Sequence, residues 1–167
     1  VVNNDGLHGM RTRRGHRHLA AGAKPKVRVE FYQGWGGKGL QVYWKGPGIP
    51  RQLLQHMAPT RIKIPINSNA LPQHRLAGLL HPWTARFWNV DQAYKVKYVT
   101  QALEAIKSRL NQPNKEVDIT SINYYRKSRW EGTFTTYFAA VFSGILDVPH
   151  SGMYYFWTRS DDGSRLM

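Results

Sequence analysis

The chain has 167 residues, of which 41% are apolar and 13% aromatic, and its formal net charge is +14. The aromatic content is typical of a chain that buries flat side chains between sheets rather than of a disordered one. The absence of cysteine excludes disulfides, thiolate metal sites and cysteine nucleophiles. No apolar run approaches the roughly 20 residues of a membrane helix, so we expect no transmembrane segment. The N-terminal sequence also lacks a leader pattern.

The first segment, residues 1–58, predicts β-structure. Val27, Val29 and Phe31 alternate with polar residues, which is the period of a half-buried strand. After a glycine-rich turn, the alternation resumes in the run Gly39–Lys45 and places Trp44 in the core. The two runs together predict a hairpin.

Residues 59–118 predict a basic, proline-rich connector, because Pro59, Pro65, Pro72 and Pro82 occur without a sustained period. Two features predict a helix near 91–110: Asp91 can cap its N-terminus, and an apolar stripe at helical spacing comes after it. The stripe consists of Val96, Val99, Leu103, Ile106 and Leu110.

The last segment, residues 119–167, returns to β-structure. The run 134–146 is aromatic and β-branched, and the run 153–158 is a second strand after a turn. Ser160–Ser164 then has the composition of another turn. The whole chain therefore predicts a mainly β protein with one helix.

The end of the chain carries a long motif. Pro149-His150-Ser151-Gly152-Met153-Tyr154-Tyr155-Phe156 is followed by Ser160-Asp161-Asp162-Gly163-Ser164-Arg165-Leu166, and this succession resembles the N-terminal half of the PA14 domain family. Residues 1–58 resemble the C-terminal half of the same family. The resemblance implies a PA14-like antiparallel β-sandwich, with its two halves present in inverted order.

Three explanations of the inverted order stay open. The chain is a circular permutant with 59–118 bridging the two halves, a window from two tandem PA14 copies, or an assembled fragment that lacks a few residues between Met167 and Val1. In the first case the halves form one domain, since sandwich termini often lie close together. In the second they belong to successive copies.

The Asp161-Asp162 pair is the best candidate for a chemical site. Adjacent carboxylates on a turn supply the hard oxygen ligands that Ca²⁺ prefers, and the resemblance implies calcium binding at these two residues in glycan-binding members. The alternative is that the pair only shapes the turn by accepting backbone hydrogen bonds. The sequence slightly favours this second interpretation.

The densest basic run favours contact with an anionic partner, because arginine forks match phosphates and carboxylates. His16 and His18 share one side of a strand, but no third ligand at useful spacing makes them a metal site. Residues 1–58 carry +8 of the net charge, against +5 for 59–118 and +1 for 119–167. The predicted anion-binding residues are Arg11, Arg13, Arg14, Arg17, Lys24 and Lys26.

Tyr155 and Trp157 are candidate aromatic contacts for sugar rings or bases. The run Gly34–Gly39 spells a dinucleotide-binding motif, but a strand follows it where that motif needs a helix. No catalytic triad or convincing acid–base pair is evident in the sequence. These observations predict a binding module rather than an enzyme.

Two functions from different classes follow. In the first, the chain is an interaction or scaffold module of a larger assembly, held to an acidic protein surface or nucleic acid by its basic segments. In the second, it is an extracellular calcium-dependent carbohydrate-binding module. The charge, the extra segment 59–118 and the absence of cysteine favour the first function and an intracellular location.

Overall fold

Alternating apolar and polar residues build two antiparallel sheets that pack face to face. The structure is a computed structural model, and it describes residues 1–55, 83–91, 95–125, 130 and 134–167. Over these residues the protein is mainly β, with a single α-helix. The predicted antiparallel β-sandwich with one helix is therefore confirmed.

The first sheet has six strands, which are joined by antiparallel ladders. Its central strands are long and buried, whereas β1 and β11 at one side have only three residues each. In sheet order the strands are β1 (Val2–Asn4), β11 (Ser164–Leu166), β3 (Lys26–Gln33), β9 (Phe138–Ile145), β6 (Trp83–Asn89) and β7 (Lys115–Ile119).

The second sheet has five strands. The ten-residue strand β10 is paired on both sides, with β2 at the edge and with β4 towards the interior of the sheet. The order is β2 (Arg11–Leu19), β10 (Gly152–Asp161), β4 (Gly39–Gly46) and β5 (Ile49–Leu53), and the short β8 (Asn123–Tyr124) also pairs with β4.

Strands from both ends of the chain alternate within each sheet. Val2 of β1 is opposite Leu166 of β11, and β2 pairs with β10 along its whole length. The described residues of the segments 1–58 and 119–167 are therefore interleaved in one sandwich.

The core between the sheets is aromatic. Trp44 is fully buried and stacks on Tyr154, with ring centroids 5.8 Å apart, as its place in the alternation predicts. Phe87 meets Phe142 edge to face at 5.9 Å, and Phe31 stacks on Trp130 at 5.1 Å. Such ring pairs add stabilisation beyond the burial of their apolar area.

The α-helix covers the outer face of the six-stranded sheet. This helix, α1 (Val99–Ala105), is followed by a 3-10 turn at Lys107–Arg109. It buries Val99 and Ile106 of the predicted stripe against Tyr32, Trp88 and other residues of the sheet. None of the helices in the described part of the chain is long and apolar enough to span a bilayer.

The helix begins later than the sequence predicts. Its first residue is Val99 rather than one close to Asp91, and the Val99 N–H donates to Oδ1 of Asp5 at 2.8 Å. The carboxylate that satisfies this helix end comes from a loop more than ninety residues away in sequence. A local capping rule could not identify it.

The hairpin predicted from 27–33 and 39–45 is wrong. Strand β3 pairs with β9 and β11, while β4 pairs with β10, β5 and β8 in the other sheet. The glycine-rich loop between them therefore crosses from one sheet to the other. Alternation identifies the face that each strand buries, but it does not specify the partner strand.

The predicted connector 59–118 contains two strands of the first sheet. Trp83, Ala85 and Phe87 of β6 are fully buried, and β6 pairs with both β9 and β7. This alternation extends over only five residues and includes a small side chain, so the sequence gives a weak signal for it. All four prolines cited for the connector lie outside the described residues.

A test of this arrangement uses Gly144, where the Trp83 ring covers β9. A Cβ added to Gly144 would lie 2.5 Å from the Trp83 ring. We expect Gly144→Ala to lower the free energy of unfolding by about 1–3 kcal/mol, because overpacking displaces the ring. Urea denaturation measures this change. Gly9→Ala, whose Cβ meets nothing within 4 Å, is the control and leaves stability nearly unchanged.

Candidate functional site

The Asp162 carboxylate accepts hydrogen bonds from two separate loops. Its Oδ1 accepts the His8 N–H at 3.1 Å, and its Oδ2 accepts the Gly34 N–H at 2.8 Å and the Gln33 side-chain amide at 3.0 Å. The Asp162 N–H in turn donates to the His8 carbonyl at 2.7 Å. Asp162 therefore fastens the β10–β11 turn to the loops that follow β1 and β3.

A second set of buried polar side chains continues inward from this turn. The Ser160 hydroxyl donates to the Asp162 carbonyl at 2.8 Å and lies 2.8 Å from the Ser164 hydroxyl. Asn4 donates its amide to Ser160 at 2.9 Å and links this network to β1. Buried polar groups need such partners, so the Ser160–Ser164 motif has a clear structural role.

The backbone of Asp162 has a left-handed conformation, with φ of 63°. Aspartate is among the few residues besides glycine that adopt this region readily. Gly163 follows, and a Cβ there would lie 2.6 Å from Oδ1 of Asp5, the carboxylate oxygen that also accepts the Val99 N–H. The Asp-Gly pair therefore lets the turn approach the beginning of α1.

Asp161 and Asp162 both have raised pKa values for the same principal reason. Burial raises the pKa of Asp162, while its backbone hydrogen bonds to Gly34 and His8 oppose the shift. Burial also raises the pKa of Asp161, and the neighbouring charge of Asp162 adds to this effect. The ionised form of each carboxyl is thus less favourable in the folded protein.

Asp161 borders an open cleft of about 760 Å³. Its side chain alternates away from the buried positions of β10 and lies against Gly37 of the β3–β4 loop. Lys38 extends across this region and donates to the Phe134 carbonyl at 2.8 Å. The cleft is further lined by Met10, Gly36, Tyr125, Thr135 and Thr136.

The donor set fits a calcium ion held by the Asp161-Asp162 pair poorly. Both Asp162 oxygens accept N–H groups, and the residue is 5% exposed. Only Asp161 borders the cleft, whereas Ca²⁺ takes six to eight oxygens. Among the described residues, no group of three or more histidine, aspartate or glutamate side chains is arranged to hold a metal. The geometry favours the turn-shaping role for Asp162.

The outer face of the five-stranded sheet combines aromatic and basic side chains. The register places Arg14, Trp157 and Tyr43 in one row across β2, β10 and β4, and His16, Tyr155 and Lys45 in the next. Residues directly opposite in neighbouring strands project from the same face. We call the following set the basic aromatic face: Arg14, His16, Tyr43, Lys45, Arg51, Tyr155, Trp157 and Arg159.

Cations lie over the rings of this face. The Arg51 guanidinium is 4.7 Å from the centre of Trp157 and 5.0 Å from that of Tyr43. The Arg14 guanidinium lies 5.8 Å from the centre of Tyr155, and the Tyr155 and Trp157 centroids are 6.3 Å apart. These cation–π contacts orient the rings while leaving them partly exposed.

The structure separates the six predicted anion-binding residues. Only Arg14 belongs to the basic aromatic face. Arg13 and Arg17 are exposed at the opposite side of edge strand β2. Arg11 donates to the Asn4 side chain at 2.9 Å and to the Asp5 carbonyl at 3.1 Å, so its fork is largely engaged within the protein.

Lys24 and Lys26 lie away from this face. Lys24 forms an exposed ion pair with Asp147 at 3.3 Å, and Lys26 begins β3 in the six-stranded sheet. The histidines also separate, because His16 and His18 are on β2 while both ring nitrogens of His8 lie within 3.0 Å of backbone carbonyls.

The sequence predicts Tyr155, Trp157 and Arg14 as contact residues, but it does not predict the contribution of Arg51 or Arg159. Arg51 and Arg159 come from different strands, and Arg159 lies over Tyr125 with its guanidinium 5.3 Å from the ring centre. The alternation in β10 already places Tyr155, Trp157 and Arg159 on one face. The contribution of Arg51 depends on strand order, which alternation does not specify.

No family model, curated protein or solved structure matches the chain. The resemblance to the PA14 family therefore stays a prediction that rests on the residues that carry it.

The two aspartates are expected to respond differently to amide substitution. Asp162→Asn replaces one acceptor oxygen with a donor that faces the N–H groups of its partners, so it lowers the free energy of unfolding by about 1–3 kcal/mol. Asp161→Asn removes a carboxylate whose pKa is raised, and at neutral pH it leaves the melting temperature unchanged or higher. Thermal denaturation across pH measures both effects.

The pH dependence provides the control. A raised folded-state pKa means that the folded protein binds more protons, so the wild type loses stability as pH rises through that pKa. Any gain in stability of Asp161→Asn over the wild type is therefore present above the raised pKa of Asp161. The gain disappears once the pH falls below the ordinary carboxyl range, because the wild-type carboxyl is then neutral in both the folded and the unfolded state. A large loss of stability in Asp161→Asn at neutral pH would contradict this assignment.

Proposed function

We propose that the chain is a non-enzymatic interaction module of the PA14 type that binds an acidic partner through the basic aromatic face. The observation that carries this proposal is the set of arginines held over aromatic rings on an exposed sheet face, with Arg51 above Trp157 and Tyr43. Arginine forks held in place lose less entropy when they contact a carboxylate or phosphate.

The charge of these strands supports an acidic partner. The four strands β2, β10, β4 and β5 contain a single acidic residue, Asp161, at the end of β10. The other residues of the face therefore carry positive charges that no further acidic residue of these four strands neutralises. A surface of this kind attracts anions and accelerates their association.

The asymmetry of the sandwich supports the same proposal. Helix α1 packs on the outer face of the six-stranded sheet and buries apolar residues there. No helix of the described ranges packs on the outer face of the five-stranded sheet, where Tyr155 and Trp157 stay half-buried. In an antiparallel sheet, the face turned to solvent normally carries polar residues, so rings at these positions favour a partner.

The cleft beside Asp161 favours a second candidate, a carbohydrate-binding module. It offers a carboxylate, the Thr135 and Thr136 hydroxyl-bearing side chains and the Tyr125 ring, and sugars are recognised by polar groups combined with aromatic surfaces. The extracellular calcium-dependent form of this function needs further oxygen ligands beside Asp161. We therefore place it second.

The first function predicts a strongly salt-dependent affinity for polyanions. We expect this dependence because salt screens exposed charge pairs. Titration of the protein with heparin and with polyglutamate at increasing ionic strength measures the affinity. Lys45→Glu, on the basic aromatic face, weakens polyanion binding by about tenfold, or about 1.4 kcal/mol. Lys97→Glu makes the same change of net charge before α1, on the opposite side of the sandwich, and has little effect.

Equal losses in the two variants would mean that net charge alone controls binding and would remove the argument for this face. A salt-independent affinity would also contradict the proposal.

Calcium provides a separate test of the second function. Since only one of the two carboxylates borders the cleft, we expect millimolar calcium to leave the melting temperature unchanged. Ligand binding to the folded state alone would raise it by mass action. A rise that Asp161→Ala abolishes would restore the calcium-dependent function.

A further inference from the structure

We propose that the acidic partner is a single-stranded nucleic acid whose bases stack on the rings of the basic aromatic face. This inference rests on the proposed function and names the partner class of the same surface. It starts from the two rings of β10, Tyr155 and Trp157, which follow each other at every second residue and lie 6.3 Å apart with planes inclined by 32°. They form two neighbouring stacking positions along one strand.

The arrangement of the cations distinguishes this partner from other anions. Arg14 lies over Tyr155, and Arg51 lies over both Trp157 and Tyr43, so each ring has a positive group in contact with it. Surfaces that bind single strands combine aromatic rings for the bases with a positive track for the backbone. A flat sheet that presents aromatic side chains is one established geometry for such stacking.

Other acidic partners use only part of this surface. A paired duplex keeps its bases stacked inside and offers phosphates, so it contacts the cations without needing the rings. An acidic protein surface offers carboxylates and likewise leaves the stacking positions without a function. The alternation of rings and cations in two adjacent rows is complementary to a chain that alternates planar bases and charged phosphates.

Edge strand β2 extends the positive track. Arg14 and His16 are exposed on this strand and belong to the basic aromatic face, whereas Arg13 and Arg17 lie on its opposite side. The described residues include no strand paired to the outer edge of β2. A single strand that crosses β10 towards β2 therefore meets further cations after the two rings. This geometry predicts that the track contributes affinity and that the rings contribute the preference for unpaired bases.

The test compares a labelled oligothymidine of about 12 nucleotides, within the size one small domain covers, with a duplex of equal length, heparin and polyglutamate. Fluorescence anisotropy gives the affinities at one salt concentration. We expect the oligothymidine to bind about tenfold more tightly than the duplex. Its binding also quenches tryptophan fluorescence.

The ring variants separate stacking from charge. Trp157→Leu weakens oligothymidine binding by about tenfold, as loss of one stacked base predicts, and changes heparin binding by less than about twofold. Trp35→Leu is the matched control, because Trp35 is 73% exposed in the β3–β4 loop outside the face. Tyr155→Leu repeats the test on the second ring, so a folding defect at one position does not decide the result.

The outcomes distinguish the two proposals. If none of the four polyanions binds, the proposed function fails and this inference fails with it. If heparin, duplex or polyglutamate binds as tightly as oligothymidine and both ring variants weaken all ligands equally, the proposed function stands and the single-strand inference is overturned. Selective loss of oligothymidine binding in Trp157→Leu and Tyr155→Leu, but not in Trp35→Leu, supports it.

Discussion

The arrangement of the sandwich depends on the hydrogen bonds that the buried carboxylate of Asp162 accepts. This carboxylate holds the N–H groups of His8 and Gly34, which belong to loops leaving two different strands of the six-stranded sheet. Because β10 belongs to the other sheet, the same turn joins the two layers at this end of the sandwich. Its neighbour Gly163 allows Asp5 to approach and accept the first N–H of α1. One short turn therefore positions a sheet-to-sheet crossover and a helix.

The sandwich that results has two unlike outer faces. On the outer face of the six-stranded sheet, the packing of α1 creates a second apolar core around Tyr32 and Trp88. The five-stranded sheet instead directs Tyr155, Trp157 and Arg159 outward from β10, which is paired on both sides, and further cations from the neighbouring strands. A strand held by two ladders is a rigid support, and this rigidity keeps the rings in a fixed arrangement for a ligand.

Much of the strand content could be predicted, because alternation reports directly which side of a strand is buried. Val27, Val29 and Phe31 are buried as predicted, and so is Trp44. The partners of these strands could not be predicted, and the hairpin from β3 to β4 was wrong for that reason. Strand β6 was not predicted, because its alternation of buried and exposed residues extends over only a short run. The candidate site was predicted only in part, since Tyr155 and Trp157 come from one strand whereas Arg51 comes from another.

The sequence by itself determined the positive charge and the aromatic content, which depend only on composition. It also determined the β class and the approximate place of the turn between β10 and β11, which depend on residues close together in the chain; the turn itself is shorter than the predicted Ser160–Ser164, because Ser160 and Ser164 belong to the strands. Tertiary structure alone decided that the two end segments interleave, that Asp5 meets the beginning of α1, and that Arg51 lies over Trp157. It also directs the Asp162 carboxylate at N–H groups rather than at the cleft. These outcomes depend on which strands pair, and pairing minimises the free energy of the whole sandwich rather than of any single segment.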